Sequence, residues 1–326
     1  MGRHRNKLMV LIILTLLLML ENGNVARTAA WSSLTPPNTH GRIGMAAIEV
    51  MPDPWKTFLS DHMQNVSDAC NFPDEYKGLD PQDFEYARHY DDSDTPHNDH
   101  TAIGGSSDWA LGVIEWATEN ATRDLTTLIK NNASDADIIY QLGFVCHYAA
   151  DSTMPFHATT YFDGYNFSSS GVHGRVEENV FKAYSDNIFA NLTVESPKYI
   201  ENPYTASKAN IASGLALVPQ WVDADLMALA VVKQTKIQSD YTRVFYNLMN
   251  QSLIDRISLA AQFAADLWYT AIVNAQPEPT STPTTTTSPT SSTLTSENTS
   301  SNNKTPVWFP YLVIIAIPIY KKRLTR

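Results

Sequence analysis

The chain has 326 residues, of which 43% are hydrophobic and 17% charged, and its formal net charge is −11. This charge argues against a nucleic-acid scaffold, which normally carries a basic patch, but it is compatible with an enzyme that acts on phosphodiesters through bound cations. The two cysteines exclude a mini-domain built on disulfides and an all-cysteine zinc module, which needs four thiolates.

The N-terminus has the features of a secretory signal peptide. Basic residues precede an apolar run over residues 8–20, and small residues follow up to Ala30. We predict that residues 1–30 are a signal peptide and that cleavage after Ala30 makes Trp31 the mature N-terminus. The alternative is an uncleaved membrane anchor, for which the apolar run is short.

The predicted helices come next in chain order. Apolar residues recur at helical spacing, and Ser134 with Asp137 resembles a capping box. The predicted helices begin at residue 38 or 39, cover residues 107–130, run from residue 134 past residue 146, and cover residues 171–192, 206–217, 222–236 and 239–274. Residues 66–105 are rich in Asp, Pro and Gly and are predicted to be irregular. Because no alternating strand pattern occurs, we predict an all-α fold in a single multi-helix domain over residues 31–275.

The C-terminal end has a different composition. Residues 276–306 are dominated by Ser, Thr and Pro and are predicted to form an extended stalk, because they cannot bury a core. Residues 307–326 are apolar and then basic, which predicts a single membrane anchor with a basic tail. The alternative is a tail that is removed or lies on the surface. Together with eight Asn-x-Ser/Thr sequons, these features predict a glycoprotein on the extracellular face of the cell membrane.

Histidines and carboxylates occur at the spacing of metal ligands. His147 and Asp151 are four residues apart on one predicted helix, and His173 and Glu177 repeat this spacing on the next. His157 lies between the two pairs. One such pair alone is most often a surface or core pair, but two pairs that flank a third histidine predict a metal site. Nitrogen and carboxylate ligands at this spacing suit zinc.

These residues resemble the zinc-dependent phospholipase C family, which is related in fold to the S1/P1-type nucleases. The resemblance runs over residues 31–275 and is strongest over residues 142–177. Its motifs are Trp31, Thr39-His40 before Ala46-Ala47-Ile48-Glu49, Pro73-Asp74-Glu75-Tyr76, His89-Tyr90-Asp91-Asp92, the run from Leu142 to Asp151, Pro155-Phe156-His157, and His173 with Glu177. The resemblance implies a compact, all-helical domain that holds three Zn²⁺ ions in a cleft.

The resemblance also implies a ligand for each ion. The first zinc would be held by Asp74, His89, His147 and Asp151, the second by His157, His173 and Glu177, and the third by His40 with the α-amino nitrogen and carbonyl oxygen of Trp31. Asp151 would bridge the first and third ions. Asp74 is also the candidate catalytic base, although a metal-bound hydroxide is the favoured nucleophile. Asp80 and Asp83 are nearby alternatives to Asp74, whereas His62, His97 and His100 do not match the motif.

The implied function is a secreted, surface-anchored zinc phosphodiesterase, a phospholipase C that releases a diacylglycerol-type lipid and a phosphorylated headgroup. One alternative is a single-strand nuclease or nucleotidase of the S1/P1 type with the same metals. Another is a non-catalytic zinc-binding surface module, which the full ligand set disfavours. The expected partners are a phosphodiester substrate and the membrane, with no stable nucleic-acid partner and a monomeric chain.

The two cysteines leave a further choice open. If Asp74 and His147 share one zinc, Cys70 and Cys146 are brought close together. They then form either a disulfide, which export would permit, or two separate thiols.

Overall fold

The computed structural model describes residues 38–77, 84–91 and 112–276. Within these ranges the regular structure is helical and contains no strand, which confirms the all-α prediction. The α-helices are α1 (Thr39–Val50), α2 (Trp55–Asp61), α3 (Met63–Ala69), α4 (Phe72–Tyr76), α5 (Phe84–Ala87), α6 (Ile114–Lys130), α7 (Asp135–Asp151), α8 (Val172–Gly174), α9 (Phe181–Phe189), α10 (Pro203–Leu215), α11 (Val218–Thr235) and α12 (Ser239–Ala275). Short 3₁₀ helices cover Pro155–Ala158 and Tyr165–Phe167, and a π-helix covers Arg175–Val180.

Side-chain caps define where three of the longer helices begin. Asn38 Oδ1 accepts a hydrogen bond from the Gly41 N–H at 3.1 Å, and Ser134 Oγ accepts one from the Asp137 N–H at 3.3 Å. Asn202 caps α10 in the same way, and proline occupies the first turn of that helix. Each cap satisfies a backbone donor that the first turn leaves without a partner. The caps at Asn38 and Ser134 were visible in the sequence.

The long helix α12 forms the centre of the core. It packs against α11, α7, α6 and α1. The indoles of Trp268, which lies in α12, and of Trp221 in α11 are fully buried. Trp268 Nε1–H donates to the Leu142 carbonyl oxygen at 3.0 Å, and Trp221 Nε1–H donates to Ser252 Oγ at 2.9 Å. These bonds satisfy the polar atom of each buried ring and tie α7 and α11 to α12.

A glycine brings α7 and α3 into backbone contact. A Cβ at Gly143 would lie 2.4 Å from the carbonyl carbon of Ala69, so a larger residue would push the helices apart. The close approach places the C-terminal half of α7 beside the end of α3. This is the half of α7 that carries His147 and Asp151.

Two stretches differ from the sequence-based expectation because they contain short helices. Residues 66–105 were predicted to be irregular, but α4, α5 and part of α3 lie there. The unpredicted helix α2 precedes them. Helices of four to seven residues are too short for apolar periodicity to identify. Pro73 fits within the first turn of α4, where a missing N–H costs nothing.

Two predicted helix boundaries were also wrong. The helix predicted over residues 107–130 begins at Ile114. Contacts with α5 and the turn after it set this start. The Val113 N–H donates to the Ala87 carbonyl oxygen at 2.8 Å, and the Ile114 N–H donates to the Tyr90 carbonyl oxygen at 3.1 Å. The helix predicted over residues 171–192 is α8, the π-helix and α9 in succession, and it ends at Phe189.

The predicted signal peptide, Trp31, the stalk and the C-terminal anchor lie outside the described residues. Among the described residues, one stretch, Pro203–Thr235, is long and apolar enough to cross a membrane. In its apolar window, 33% of the residues are buried. This stretch consists of α10 and α11, which pack in the helical core. Length and composition alone are weak evidence for a membrane span.

Candidate metal centre

The C-terminal half of α7 presents His147 and Asp151 on one buried face. His147 Nδ1–H donates to the carbonyl oxygen of Cys70 at 2.8 Å. Its Nε2 therefore carries the free lone pair and lies 3.2 Å from Asp151 Oδ2. A histidine whose other nitrogen bonds a backbone carbonyl is held in the tautomer that metals bind.

A first group of ligand atoms surrounds His147. His89, which follows α5, has its Nδ1 at 2.7 Å from Asp151 Oδ2 and at 3.0 Å from His147 Nε2. Asp74 of α4 approaches from the other side, with Oδ1 at 3.7 Å from His89 Nδ1 and 3.9 Å from His147 Nε2. One donor atom from each of Asp74, His89 and His147 lies within 4.8 Å of the other two.

His40 belongs to an adjoining group. It lies in the first turn of α1, with Nε2 at 3.0 Å from Asp151 Oδ1, and its ring stacks on His147 with centroids 3.9 Å apart. His40, His147 and Asp151 also bring donor atoms within 4.8 Å of one another. Asp151 thus turns Oδ1 towards His40 and Oδ2 towards His89 and His147, which is the arrangement of a bridging carboxylate.

The other group contains His157, His173 and Glu177. His157 lies in the 3₁₀ helix after Pro155, His173 in α8, and Glu177 in the π-helix. The Nε2 atoms of the two histidines are 3.1 Å apart, and His173 Nε2 is 2.9 Å from Glu177 Oε2. His157 Nδ1 is 3.6 Å from Asp151 Oδ1, so this group adjoins the other two.

Burial and neighbouring charges favour the metal-binding forms of four candidates: His40, His89, Asp151 and Glu177. All eight described candidates are at most 5% exposed. Burial lowers the pKa of His89 to about 3 and also lowers the pKa of His40, which keeps both imidazoles neutral at pH 7. Burial opposes the charge on Asp151 and Glu177, but the neighbouring histidines hold the pKa of both below its ordinary value. Neutral imidazoles and ionised carboxylates are the forms that coordinate metals.

The donor set fits zinc. Both carboxylate oxygens of Glu177 are buried and accept no well-formed hydrogen bond. Histidine nitrogens face each other at 3.0 and 3.1 Å, although two lone pairs repel unless a proton or a cation lies between them. Buried groups of this kind are costly to leave unpaired, and a divalent cation would satisfy them together. Histidine nitrogen with carboxylate oxygen is a usual zinc ligand set.

A comparison with known families agrees with this geometry. The model of a family described as zinc dependent phospholipase C matches residues 39–214, which contain all eight described candidates. The chain belongs to the zinc-dependent phospholipase C family. Membership confirms the resemblance seen in the sequence.

Solved structures similar to this phospholipase C family member include two clostridial alpha-toxins. That of Clostridium absonum has 15% identity and a TM-score of 0.48, with 74% of this chain and 65% of that chain covered. That of Clostridium perfringens, from avian strain SWCP, has 13% identity and a TM-score of 0.47, with 72% and 64% covered. The family member thus spans less than two thirds of either toxin chain. A comparison with curated proteins gives no match.

Among the residues that the structure describes, no other histidine or aspartate that the sequence offered joins the eight candidates. His62 lies at the junction of α2 and α3, where its Nδ1–H donates to the Phe58 carbonyl at 2.9 Å, and it joins none of the three groups. Trp31, Asp80, Asp83, His97 and His100 lie outside the described residues. Asp74, which the resemblance favoured over Asp80 and Asp83, lies against His89 and His147.

Sequence reasoning missed the charged residues that support the ligands. Lys77 lies 2.8 Å from Asp74 Oδ1, and Asp225 of α11 binds Arg175 between His173 and Glu177. The spacing of Lys77, three residues after Asp74, could have indicated the first pair. Asp225 lies 50 residues from Arg175 in sequence, so no local pattern could have revealed the second.

Cys70 and Cys146 adjoin His147 in the candidate metal centre. Both are buried free thiols in the structure. A Cβ at Gly44 would lie 2.7 Å from Cys70 Sγ and 3.5 Å from Cys146 Sγ, so the two sulfurs are neighbours beside α1. The predicted proximity is therefore present, without a bond between the sulfurs.

Proposed function

We propose that this protein is a phospholipase C that cleaves the phosphodiester bond of membrane phospholipids at the extracellular face of the cell. The products would be a diacylglycerol-type lipid and a phosphorylated headgroup. The observation that carries the proposal is that eight buried side chains able to bind metal, from residues 40 to 177, meet in three adjoining groups. The secretion signal and the C-terminal anchor inferred from the sequence would bring the domain to its substrate.

Each group would hold one Zn²⁺. Asp74, His89 and His147, with Asp151, form the first site, and His157, His173 and Glu177 form the second. His40 and Asp151 belong to the third, where the amine and carbonyl of Trp31 would complete the ligand set. When bound, zinc acts as a Lewis acid on the phosphate and lowers the pKa of a bound water towards neutrality.

Asp74 is better suited to bind metal than to accept a proton. Burial would raise its pKa, but the Lys77 ammonium and the nearby histidines hold it well below the ordinary value. A carboxylate of such low basicity is a weak general base. Asp74 would therefore orient the first ion, and Asp151 would fix the spacing between the first and third.

Aromatic side chains near the ligand segments offer a surface for lipid. Tyr76 follows Asp74 on α4 and is 38% exposed, while Tyr161 and Tyr165 follow His157 and are 37% and 62% exposed. Tyrosine combines an apolar ring with a polar end, which suits a membrane–water interface. The same rings could stack on nucleobases, so the substrate has to be tested directly.

The test compares substrates and ligand variants on the zinc-loaded protein. Phosphatidylcholine vesicles and single-stranded DNA are offered separately, and the released headgroup phosphate or nucleotides are measured. We expect hydrolysis of the lipid and a loss of roughly a hundredfold or more in His147→Ala, because loss of a zinc ligand exceeds the 10–100-fold effect of its outer partners. His62→Ala, outside the metal centre, should retain activity. Hydrolysis of DNA without lipid, or a fully active His147→Ala protein, would contradict the proposal.

A further inference from the structure

Lys77 places a positive charge at the metal centre. It caps the C-terminus of α4, its side chain is 8% exposed, and its Nζ lies 2.8 Å from Asp74 Oδ1. The ammonium also lies 5.7 Å from the centre of the Tyr90 ring, which contacts His157 at 4.7 Å. Its ion pair with the Asp74 carboxylate favours the charged ammonium.

This ammonium and the first metal site depend on the same carboxylate. Asp74 Oδ1, the oxygen paired with Lys77, is also the oxygen nearest to His89 and His147, at 3.7 and 3.9 Å. Once Asp74 binds a divalent ion, its negative charge is shared between that ion and Lys77. A buried ammonium with a weakened partner is unfavourable, and a further anion beside it would restore the balance.

The carboxylates of the centre are already committed to other partners. Asp74, Asp151 and Glu177 each belong to one of the three ligand groups. An anion for Lys77 would therefore come from the substrate. An ammonium binds a phosphate oxygen through a short, charge-assisted hydrogen bond.

We propose that Lys77 binds a phosphate oxygen of the substrate and makes the centre favour phospholipids whose headgroup carries no positive charge over those with cationic choline. The inference rests on the proposed function and defines its substrate class. The headgroup is covalently attached to the phosphate, so its charge lies close to the ammonium. At such a distance inside a protein, the ammonium and a cationic choline repel each other strongly, whereas an uncharged headgroup such as glycerol is not repelled.

The test uses three variants of the full-length, zinc-loaded protein. Lys77→Met removes the charge and keeps the length of the side chain, and Lys77→Arg keeps the charge. Lys198→Met is the matched control, because Lys198 is 70% exposed and pairs with Glu195 away from the centre. Each variant is checked for helical content and zinc content.

Two readouts follow. The first is the affinity for inorganic phosphate, measured calorimetrically. The second is the ratio of the two headgroup products from mixed vesicles with equal amounts of phosphatidylglycerol and phosphatidylcholine, so that one surface presents both lipids. We expect Lys77→Met to keep its zinc, to bind phosphate at least tenfold more weakly and to lose a preference for phosphatidylglycerol. Lys77→Arg and Lys198→Met should retain both properties.

The outcomes separate this inference from the proposed function. Unchanged phosphate affinity in Lys77→Met would overturn the inference. So would a loss of zinc in step with phosphate, since Lys77 would then only position Asp74. A preference of the unaltered protein for phosphatidylcholine would overturn the headgroup assignment. If the unaltered protein hydrolyses neither lipid, the proposed function fails, while phosphate affinity still decides whether Lys77 binds anions.

Discussion

Glu115 is a single residue whose ionisation should set how stability varies with pH. It lies fully buried at the start of α6, with Oε1 at 3.5 Å from Lys208 Nζ. Burial, together with the charge of Asp91, raises its pKa to about 7. In the unfolded chain a glutamate has a pKa of about 4.3. Between pH ~4.3 and about 7, Glu115 therefore keeps its proton in the folded state but has lost it in the unfolded state.

We expect the protonated carboxyl to make its full contribution to the free energy of unfolding below pH ~4.3. That contribution should disappear as the pH rises through about 7. Glu115→Gln keeps the neutral form at every pH. Between pH 5 and 8 its unfolding free energy should fall less than that of the unaltered protein, by on the order of 1–2 kcal/mol. Thermal unfolding across this range measures the difference, with the exposed Asp124→Asn on the same helix as control. Parallel pH profiles for Glu115→Gln and the unaltered protein would refute the assignment.

At the scale of elements, α11 fixes the segment that carries two candidate ligands. Arg175 donates to Asp225 through Nε at 2.9 Å and through Nη2 at 2.7 Å. Tyr241 O–H donates to the same carboxylate at 2.6 Å, and Ser169 O–H also donates to it. Because Arg175 lies between His173 and Glu177, the fully buried Asp225 holds the start of the π-helix in place.

We expect Asp225→Asn to weaken the second zinc site while the first remains occupied. Breaking a buried ion pair costs about 3–5 kcal/mol, and loss of an outer partner lowers metal affinity about 10–100-fold. Zinc content per chain and chemical unfolding measure the two effects. The exposed Asp223→Asn, two residues away on α11, is the matched control. Full zinc content and unaltered unfolding of Asp225→Asn would show that the pair does not position the ligands.

The helices also differ in how far the sequence could predict them and their contacts. Long helices such as α7 and α12 were predictable, because their apolar residues repeat over many turns. The pairs His147–Asp151 and His173–Glu177 were visible because helical geometry brings residues four apart together. The spacing of Lys77 from Asp74 could also have been noticed. The role of Asp225 was not predictable, because it depends on α11 folding against a distant segment.

Over the whole molecule, the candidate ligands join segments that are far apart in sequence. His40 lies in α1, Asp74 in α4, and His147 with Asp151 in α7, while Glu177 belongs to the π-helix. Metal bound only by the folded state stabilises it by mass action.

We therefore expect chelation to abolish hydrolysis and to lower the unfolding free energy by several kcal/mol, about 4 kcal/mol if free zinc was a thousandfold above its dissociation constant. Scanning calorimetry of metal-stripped, zinc-reloaded and untreated samples measures this. Reloading should restore both the melting temperature and the activity. Equal melting temperatures with and without zinc would mean that the three groups do not hold metal.

The π-helix at Arg175–Val180 leaves this segment able to change length by one residue in evolution. Its hydrogen bonds join residues five apart instead of four, so its turn accommodates an additional residue. A chain one residue shorter could wind here as an ordinary α-helix, and the residues after the deletion would keep their faces. Val180 and Phe181, both fully buried, would stay in the core. A single-residue deletion should therefore be better tolerated here than within a regular α-helix such as α7, where everything after the deletion would rotate by about 100° around the helix axis.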